Sequence, residues 1–378
     1  MIKIKGVDIY HLKIPLASPY HLSKLYGTLR DIDIIFVKLT TSDGLAAYGE
    51  TNPLNPFTEE TVNGVITILQ HDLAPRLINK SFISPAAMRT YLDQCVYGNQ
   101  VAKAALDIAA YDLFGKYFNV PSGQLLGGVI HKKLPLLWSV GSGSPKDDFE
   151  IISKKVEEGY QTFMLKMGGN QPLETEVQRV ENLRKHFGDK VAIIVDANQG
   201  WTPQTCLRFI HACQGYSINL LEQPIARYKL NELAYIKRLG IVPISADESL
   251  VSINDAKEVI KIDAADVFSL KVTKNGGMFK TQNLGLLANN YNIDCLMNSM
   301  IEQGISQAAS LQVASTLPNL LPIGHSYFST LRFSTDLTNF SQLVKNGVVH
   351  LPNSPGLGIE VDTDKMEHHC VQHIHVAS

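Results

Sequence analysis

The segment VAIIVDAN (191–198) is a short apolar run that ends in an acid, Asp196. Similar runs recur at intervals of about 24–30 residues, the length of one strand, one helix and their loops. They are LPLLWSV (134–140), TFMLKM (162–167), VAIIVDAN, INLLEQP (218–224), VPISADES (242–249), DVFSLKV (266–272), IDCLMNS (293–299) and LLPIGHS (320–326). Amphipathic helical segments separate most of them. Eight such units predict an α/β protein built on a parallel (β/α) barrel.

An open, doubly wound sheet is the alternative arrangement of these units. It requires a reversal of strand order and usually carries a glycine-rich turn that binds phosphate. The best candidate for that turn, GSGSP (141–145), lacks the third glycine and the start of a following helix. The barrel is therefore the favoured arrangement.

The first 125 residues show a different order of predicted strands and helices. Strand-like runs come first, including DIDIIFVKLTTSDG, and helical periodicity follows over 58–77, 84–97 and 99–117. The segment NVPSGQLLGG then interrupts the pattern. Strands followed by helices predict an α+β domain ahead of the barrel.

Composition limits the possible partners. Of the 378 residues, 45% are apolar and 19% are charged, and the formal net charge is −2. This balance gives no electrostatic reason to expect nucleic acid or an anionic membrane surface. No signal peptide or membrane-spanning run is recognisable, and the five cysteines form no CxxC pair. We expect a cytoplasmic protein with reduced thiols.

Five successive predicted strands each carry one ionisable residue at or near the carboxyl end. In chain order these residues are Lys166, Asp196, Glu222, Asp247 and Lys271. Any one of the acids alone is as easily explained as a helix N-cap or the start of a loop. Because the carboxyl ends of parallel barrel strands meet at one mouth, five in register predict an active site there.

Three carboxylates without histidine or cysteine form an all-oxygen site that suits Mg²⁺, with Mn²⁺ a possible substitute. Burial and a nearby cation would lower the pKa of a flanking lysine, so that its neutral amine becomes a base. The combination predicts removal of a proton next to a carboxylate, with the metal stabilising the developing negative charge. The structural alternatives are a rim position for Lys166 and a salt bridge from Lys271 to Asp247 or Glu248.

At this point the chain resembles the enolase superfamily, and within it the muconate-lactonizing-enzyme subgroup. The motifs that carry the resemblance are SDGLAAYGE (42–50), QLLGG (124–128), VDANQGW (195–201), LLEQPI (220–225), ADES (246–249), LKVTKNGG (270–277), SMIEQGI (299–305) and SPGLGIE (354–360). The resemblance implies an α+β capping domain (1–128), a modified (β/α)7β TIM-like barrel (129–352) and a C-terminal segment (353–378) that returns to the capping domain.

The resemblance also implies roles for individual residues. Asp196, Glu222 and Asp247 would bind Mg²⁺, and Lys166 and Lys271 would act as acid and base on opposite faces of the substrate. Glu302 would hydrogen-bond the enolate side of the intermediate. Substrate contacts are expected from the segment 18–27, the loop 51–57 and several single residues, namely His21, Tyr26, Trp138, Asn198, Ser299 and Met300.

Met164 departs from the family pattern. The second barrel strand usually carries Lys-x-Lys, and here it reads Met164-Leu165-Lys166. The base is retained, but the neighbouring cation that helps neutralise a substrate carboxylate is absent. We expect Met164 to contact a less anionic part of the substrate, which makes muconate itself a less certain substrate.

The sequence therefore predicts abstraction and return of a proton alpha to a carboxylate, by a muconate cycloisomerase-like isomerase or lyase. A racemase or epimerase of an N-substituted amino acid remains open, as does a metal-binding barrel without catalysis. The expected partners are a small carboxylate and further copies of the chain in a homo-oligomer. The histidine-rich segment HHCVQHIH (368–375) is expected to be an edge or flexible segment rather than a second metal site.

Overall fold

The computed structural model describes residues 1–141 and 144–377. Its strands are β1 (Ile2–His21), β2 (Thr28–Thr41), β3 (Ala46–Thr51), β4 (Ser81–Phe82), β5 (Lys133–Pro135), β6 (Leu137–Val140), β7 (Thr162–Lys166), β8 (Ala192–Asp196), β9 (Leu220–Glu222), β10 (Ile244–Ala246), β11 (Val267–Leu270), β12 (Asp294–Met297), β13 (Val344–Lys345), β14 (Val348–His350) and β15 (Cys370–Ala377). Most of the barrel strands are only three to five residues long and are buried along their whole length.

The helices are α1 (Val62–Thr67), α2 (Ala74–Leu77), α3 (Pro85–Cys95), α4 (Gln100–Phe118), α5 (Ser122–Leu125), α6 (Pro145–Glu157), α7 (Leu173–Phe187), α8 (Pro203–Ala212), α9 (Leu230–Arg238), α10 (Ile253–Lys261), α11 (Met278–Asn290), α12 (Gly304–Ala314) and α13 (Thr363–His368). A π-helical turn, Ile68–Leu73, joins α1 to α2. The predicted helix over 58–77 therefore begins later and is interrupted in the middle.

The N-terminal part forms an antiparallel sheet in the order β15-β1-β2-β3. Helix α4 packs across it and is buried over most of its length, because small residues allow a close approach. At Gly49 on β3 a Cβ atom would lie only 1.8 Å from the carbonyl oxygen of Ala105. The strand-then-helix pattern of the sequence thus gives an α+β capping domain.

The second sheet is parallel and runs β6-β7-β8-β9-β10-β11-β12 in chain order. Parallel bridges from Cys295 to Leu320 and from Leu136 to His325 connect its two edges through the segment 320–325. The predicted barrel is confirmed, and the open sheet, which needs a reversed strand order, is wrong. The eighth predicted strand, LLPIGHS, contributes only these two bridges among the residues with described positions.

The capping domain and the barrel share buried polar contacts. Glu50, on β3, accepts hydrogen bonds from the backbone N–H groups of Gln303 (2.6 Å) and Ser306 (2.7 Å) at the start of α12. The first turn of a helix has unpaired N–H groups and a partial positive charge, so a buried carboxylate is well placed there. These bonds fix the capping domain beside the barrel mouth.

The C-terminal segment returns to the capping sheet, where β15 pairs with β1. Two of its histidines contact one acid: His373 Nε2 and His375 Nδ1 lie 2.9 and 2.7 Å from Asp8 Oδ1. The segment HHCVQHIH is thus largely an edge strand. Residues 142 and 143 of GSGSP lie outside the described residues. No helix in the described ranges is long and apolar enough to cross a membrane.

Candidate active site

Three acids lie side by side at the barrel mouth. Asp196 ends β8, Glu222 ends β9 and Asp247 directly follows β10. Asp196 stands opposite Glu222 in the sheet, and Glu222 stands opposite Ser245, two residues before Asp247. All three acids are fully buried. The short strands, each ending at the same level, bring the predicted carboxylates together.

Lysines neutralise two of these acids. Lys166, at the end of β7, forms an ion pair with Asp196, and the Lys271 ammonium lies 2.6 Å from Asp247 Oδ2. A third lysine, Lys274, donates to Asp247 Oδ1 at 2.8 Å and to two backbone carbonyls. The salt bridge from Lys271 to Asp247, considered as a structural alternative, is therefore present.

The acids around the two lysines set the direction of the lysine pKa shifts. Burial lowers the pKa of Lys166, but the charges of Asp196, Tyr20 and Glu222 and the hydrogen bond to Asp196 together outweigh burial, so the net shift is upward. The same balance, with Asp247 as the main anion, raises the pKa of Lys271. These directions hold for lysines paired with the bare acids, and the lowering expected beside a bound cation stays a prediction.

The donor set nevertheless fits a hard cation. Burial and the charges of Asp196 and Asp247 raise the pKa of Glu222 well above its usual value. Its Oε1 accepts from Asn298 Nδ2 at 2.7 Å, whereas its Oε2 is buried without a hydrogen-bond partner. Within the described ranges no three His, Cys, Asp or Glu side chains are already arranged around a metal position. The metal-binding role of the three acids stays a prediction.

A cavity of about 40 Å³ lies directly beside the lysines. Barrel residues and capping-domain residues close it together, which places both lysines at one enclosed space. The barrel contributes Ser139, Met164, Lys166, Asn198, Lys271, Asn298, Ser299, Met300, Ile301 and Phe328, and the capping domain contributes Tyr20, Leu22, Tyr26, Leu54 and Phe57. Tyr26, Met164, Asn198, Ser299 and Met300 thus lie where the sequence predicts, as do two residues of the loop 51–57.

His21 and Trp138 do not line this cavity. Successive side chains of a strand point to opposite faces. Since Tyr20 and Leu22 face the cavity, His21 faces away, is exposed and bonds Thr28 Oγ1 at 2.9 Å. Ser139 likewise faces the cavity, and its neighbour Trp138 does not. Both predicted contacts instead border a second cavity of about 640 Å³.

Glu302 is buried and supports the loop after β12 rather than lining the cavity. Its Oε2 accepts from Ser299 Oγ at 2.8 Å and from the Met300 N–H at 2.5 Å, and its Oε1 accepts from Gln307 at 2.7 Å. Burial raises its pKa. The loop carries Ile301 at a φ of 63°, an unfavourable value for a β-branched residue. In this structure Glu302 holds the loop after β12 in position, and its predicted contact with the intermediate stays a prediction.

Sequence analysis missed several groups at the site. Glu248 accepts from the Tyr26 hydroxyl at 3.0 Å, and its pKa is raised to about 8 by burial and by the charges of Asp247 and Asp196. Phe57 covers Lys271, with the ammonium 4.3 Å from its ring centroid. Lys274 had one detectable signal: it lies three residues after Lys271, close enough to return to the same acid through a turn. The Phe57 contact has no local signal, because it depends on how the capping domain docks.

Comparison with known proteins agrees with this architecture. A family model described as enolase C-terminal domain-like matches residues 150–365, and one described as the mandelate racemase / muconate lactonizing enzyme N-terminal domain matches residues 4–127. The chain is 31% identical over 367 residues to the N-succinyl-L-Arg/Lys racemase of Bacillus cereus, covering 97% of each chain. It is also 31% identical over 367 residues to muconate cycloisomerase 1 of Acinetobacter baylyi, covering 96% of this chain and 98% of the relative.

Solved structures give the same result. The N-succinyl Arg/Lys racemase from Bacillus cereus superposes with a TM-score of 0.94 at 30% identity, over 99% of this chain and 100% of the other. The muconate lactonizing enzyme from Pseudomonas putida superposes with a TM-score of 0.91 at 26% identity, over 97% and 99%. With its matching domains, barrel and strand-end residues, the chain belongs to the muconate-lactonizing group of the enolase superfamily and is an enzyme with that superfamily's isomerase and lyase chemistry.

Proposed function

We propose that the protein racemises an N-acylated amino acid by moving the proton alpha to its carboxylate from one face to the other. The observation that carries the proposal is the position of the two lysines. Lys166 and Lys271 line the same cavity from β7 and from the end of β11, and three strands lie between these in the sheet. A substrate between them has one ammonium or amine group on each side, as a two-base proton transfer requires.

Each lysine has a defined task. One neutral amine takes the proton, and the opposite ammonium gives a proton to the other face. Superfamily members of this kind use a divalent metal, and Mg²⁺ or Mn²⁺ on Asp196, Glu222 and Asp247 would supply positive charge for the negative charge that develops on the substrate carboxylate. Lys274 remains hydrogen-bonded to the backbone carbonyl of Asp247. The ring of Phe57 covers the Lys271 ammonium and shields it from water.

The cavity walls support an N-acylated amino acid. Met164, Leu54, Phe57 and Phe328 give the space an apolar lining, which suits an acyl chain better than a second charge at the metal. The Bacillus cereus relative is named as a racemase of N-succinyl-L-Arg/Lys. The small carboxylate predicted from the sequence is thus narrowed to this class.

Cycloisomerisation of a muconate is the second candidate. Chloromuconate and muconate cycloisomerases are as similar to the chain as the racemase is, at 30–31% identity. That reaction needs only one of the two lysines as proton carrier. Met164 argues against this candidate. It replaces the lysine whose positive charge would help to neutralise the second carboxylate of a muconate.

The test is proton exchange in D₂O, followed by ¹H NMR and optical rotation with Mg²⁺ present. We expect the alpha proton of N-succinylamino acids to exchange and the enantiomers to interconvert. Lys166→Ala and Lys271→Ala should each lower the rate of interconversion by about 10²–10⁴-fold. In each variant the remaining lysine should still exchange the alpha proton of the one enantiomer whose proton faces it. Lys261→Ala, at an exposed site, is the matched control.

Chelation with EDTA should abolish exchange, and Mg²⁺ should restore it. Turnover of muconate without exchange of N-acylamino acids would favour the second candidate. Mg²⁺ binding without exchange of any carboxylate would instead identify a barrel that has lost catalysis.

A further inference from the structure

Arg332 is an unpaired cation next to the active-site cavity. It lies in the turn Ser329–Arg332, and its guanidinium carbon is 4.4 Å from the ring centroid of Tyr20, 4.8 Å from that of Trp138 and 5.2 Å from that of Phe328. One amino group donates to the Ser139 carbonyl, whereas Nε is buried without a hydrogen-bond partner. No acid of the described chain lies within salt-bridge distance of it.

Arg332 lacks the hydrogen-bond acceptors that a buried guanidinium needs. The guanidinium carries five N–H donors in a fixed fork that matches a carboxylate. A buried donor without an acceptor is costly, and aromatic rings compensate only part of that cost. Tyr20, Trp138 and Phe328 thus form an aromatic cage that holds the guanidinium in place and supplies no acceptor for Nε.

The arginine faces the second cavity, of about 640 Å³, whose walls include Tyr20, Ser139, Lys155 and Arg332. Tyr20 and Ser139 also line the cavity that contains the two lysines. These two residues, which both spaces share, are joined by a hydrogen bond of 2.5 Å between the Tyr20 hydroxyl and Ser139 Oγ. A substrate that replaces this bond reaches from the lysines to Arg332.

The sheet register connects Arg332 with the unusual Met164. Ser139 on β6 stands opposite Met164 on β7, and Arg332 is bonded to the Ser139 carbonyl. The guanidinium thus lies one strand away from the position where the Lys-x-Lys pattern has its first lysine. The positive charge absent from β7 is present beside it, further from the three acids.

We propose that Arg332 binds a second carboxylate of the substrate, at the far end of the acyl group. The inference rests on the proposed racemase function and narrows its substrate to N-acylated amino acids whose acyl chain ends in an anion, such as N-succinyl derivatives. The first carboxylate lies among the acids and lysines, the acyl chain passes Met164, and the distal carboxylate replaces the Tyr20–Ser139 contact. Lys155, 3.8 Å from the Trp138 ring centroid, borders the same cavity but is paired with Glu158 at 2.6 Å. Asp147 and Asp148 line the cavity as well, whereas Arg332 has no acidic partner among the described residues.

The kinetic test compares N-succinyl and N-butanoyl derivatives of one amino acid, which differ only in the distal carboxylate. We expect kcat/KM for exchange to favour the succinyl compound by about 10- to 100-fold, the usual effect of a charged hydrogen bond. Arg332→Met should remove this preference and leave the butanoyl rate within about 3-fold, and Arg332→Lys should restore part of the preference. Equal losses for both compounds would show a structural role and overturn the proposal.

A binding test separates this inference from the proposed reaction. The chain has two tryptophans, Trp138 and Trp201, so Trp201→Phe leaves Trp138, beside Arg332, as the fluorescent reporter. Titration with N-succinylglycine should give a lower Kd than titration with N-butanoylglycine, and Arg332→Met should equalise them. Selective binding without any exchange would refute the reaction but keep the subsite, and equal Kd values would refute the subsite.

Discussion

Replacement of Arg179 tests how the helices around the barrel stabilise β7, the strand that ends at Lys166. Arg179, on α7, forms a buried ion pair with Asp148 on α6, and both side chains are 1% exposed. Its two amino groups also donate to the backbone carbonyls of Lys166 at 2.7 Å and Gly141 at 3.1 Å. Loss of one partner of a buried ion pair costs about 3–5 kcal/mol, because the other charge stays buried. We therefore expect Arg179→Met to lower the free energy of unfolding by about 4 kcal/mol.

The double variant Arg179→Met/Asp148→Leu is the matched control. It removes both charges and fills the space with apolar groups, so it should be more stable than Arg179→Met by at least about 1.5 kcal/mol. Urea unfolding followed by circular dichroism measures both, provided that the m-value is unchanged. Proton exchange should also slow in the double variant, because the carbonyl of Lys166 has lost its donor. A loss below about 1 kcal/mol in the single variant, or equal stability of the two variants, would refute the ion-pair explanation.

Two further predictions concern the packing of the capping domain and the histidine at the closure of the barrel. Gly49→Ala places a Cβ 1.8 Å from the Ala105 carbonyl oxygen and should cost about 3 kcal/mol or more in urea unfolding. Gly215→Ala, with no atom within 4 Å, should cost under about 0.5 kcal/mol, and similar losses for the two would contradict the packing explanation. Burial lowers the pKa of His325 from 6.5 to about 3, so the unfolded chain binds the extra proton and stability should fall as the pH drops from 6.5 toward 3. His325 should contribute about 1.4 kcal/mol per pH unit to the slope of the free energy of unfolding, measured by urea titration, and this contribution should vanish in His325→Asn; an unchanged slope would exclude this histidine.

The barrel and its strand-end residues were predictable because they depend on local pattern. Each strand from β7 to β11 is a short apolar run with one ionisable residue at its end, and parallel pairing puts these ends at one edge. Asp196 and Glu222 are even direct neighbours in the register. The spacing of the strands and the ionisable residues at their ends were therefore enough to predict which side chains meet at the centre of the site.

What escaped prediction depends on distant contacts. Alternation along β1 decides that Tyr20 rather than His21 faces the cavity, and the register of a 20-residue strand with a shift between Pro15 and Tyr20 is not visible in the sequence. The aromatic cage of Arg332 combines Tyr20 on β1, Trp138 on β6 and Phe328 just before the turn Ser329–Arg332. The direction of each lysine pKa shift in this structure depends on how many acids surround the ammonium group, which the sequence does not show.

The size of the catalytic cavity indicates which part of the protein must move. A space of about 40 Å³ is small beside ligand pockets, which usually exceed about 300 Å³. The barrel side of the cavity is fixed by buried ion pairs of Lys166 and Lys271, and displacing these would leave charges unpaired. On the capping side, Tyr26 is held by single hydrogen bonds to Glu248 and Gln199, and Leu22, Leu54 and Phe57 offer apolar side chains to the cavity. Because breaking one hydrogen bond costs far less than exposing a buried charge, the capping residues are the ones that yield to an entering substrate. The charged half of the site then keeps its arrangement when the substrate enters, and the apolar half moves to admit it.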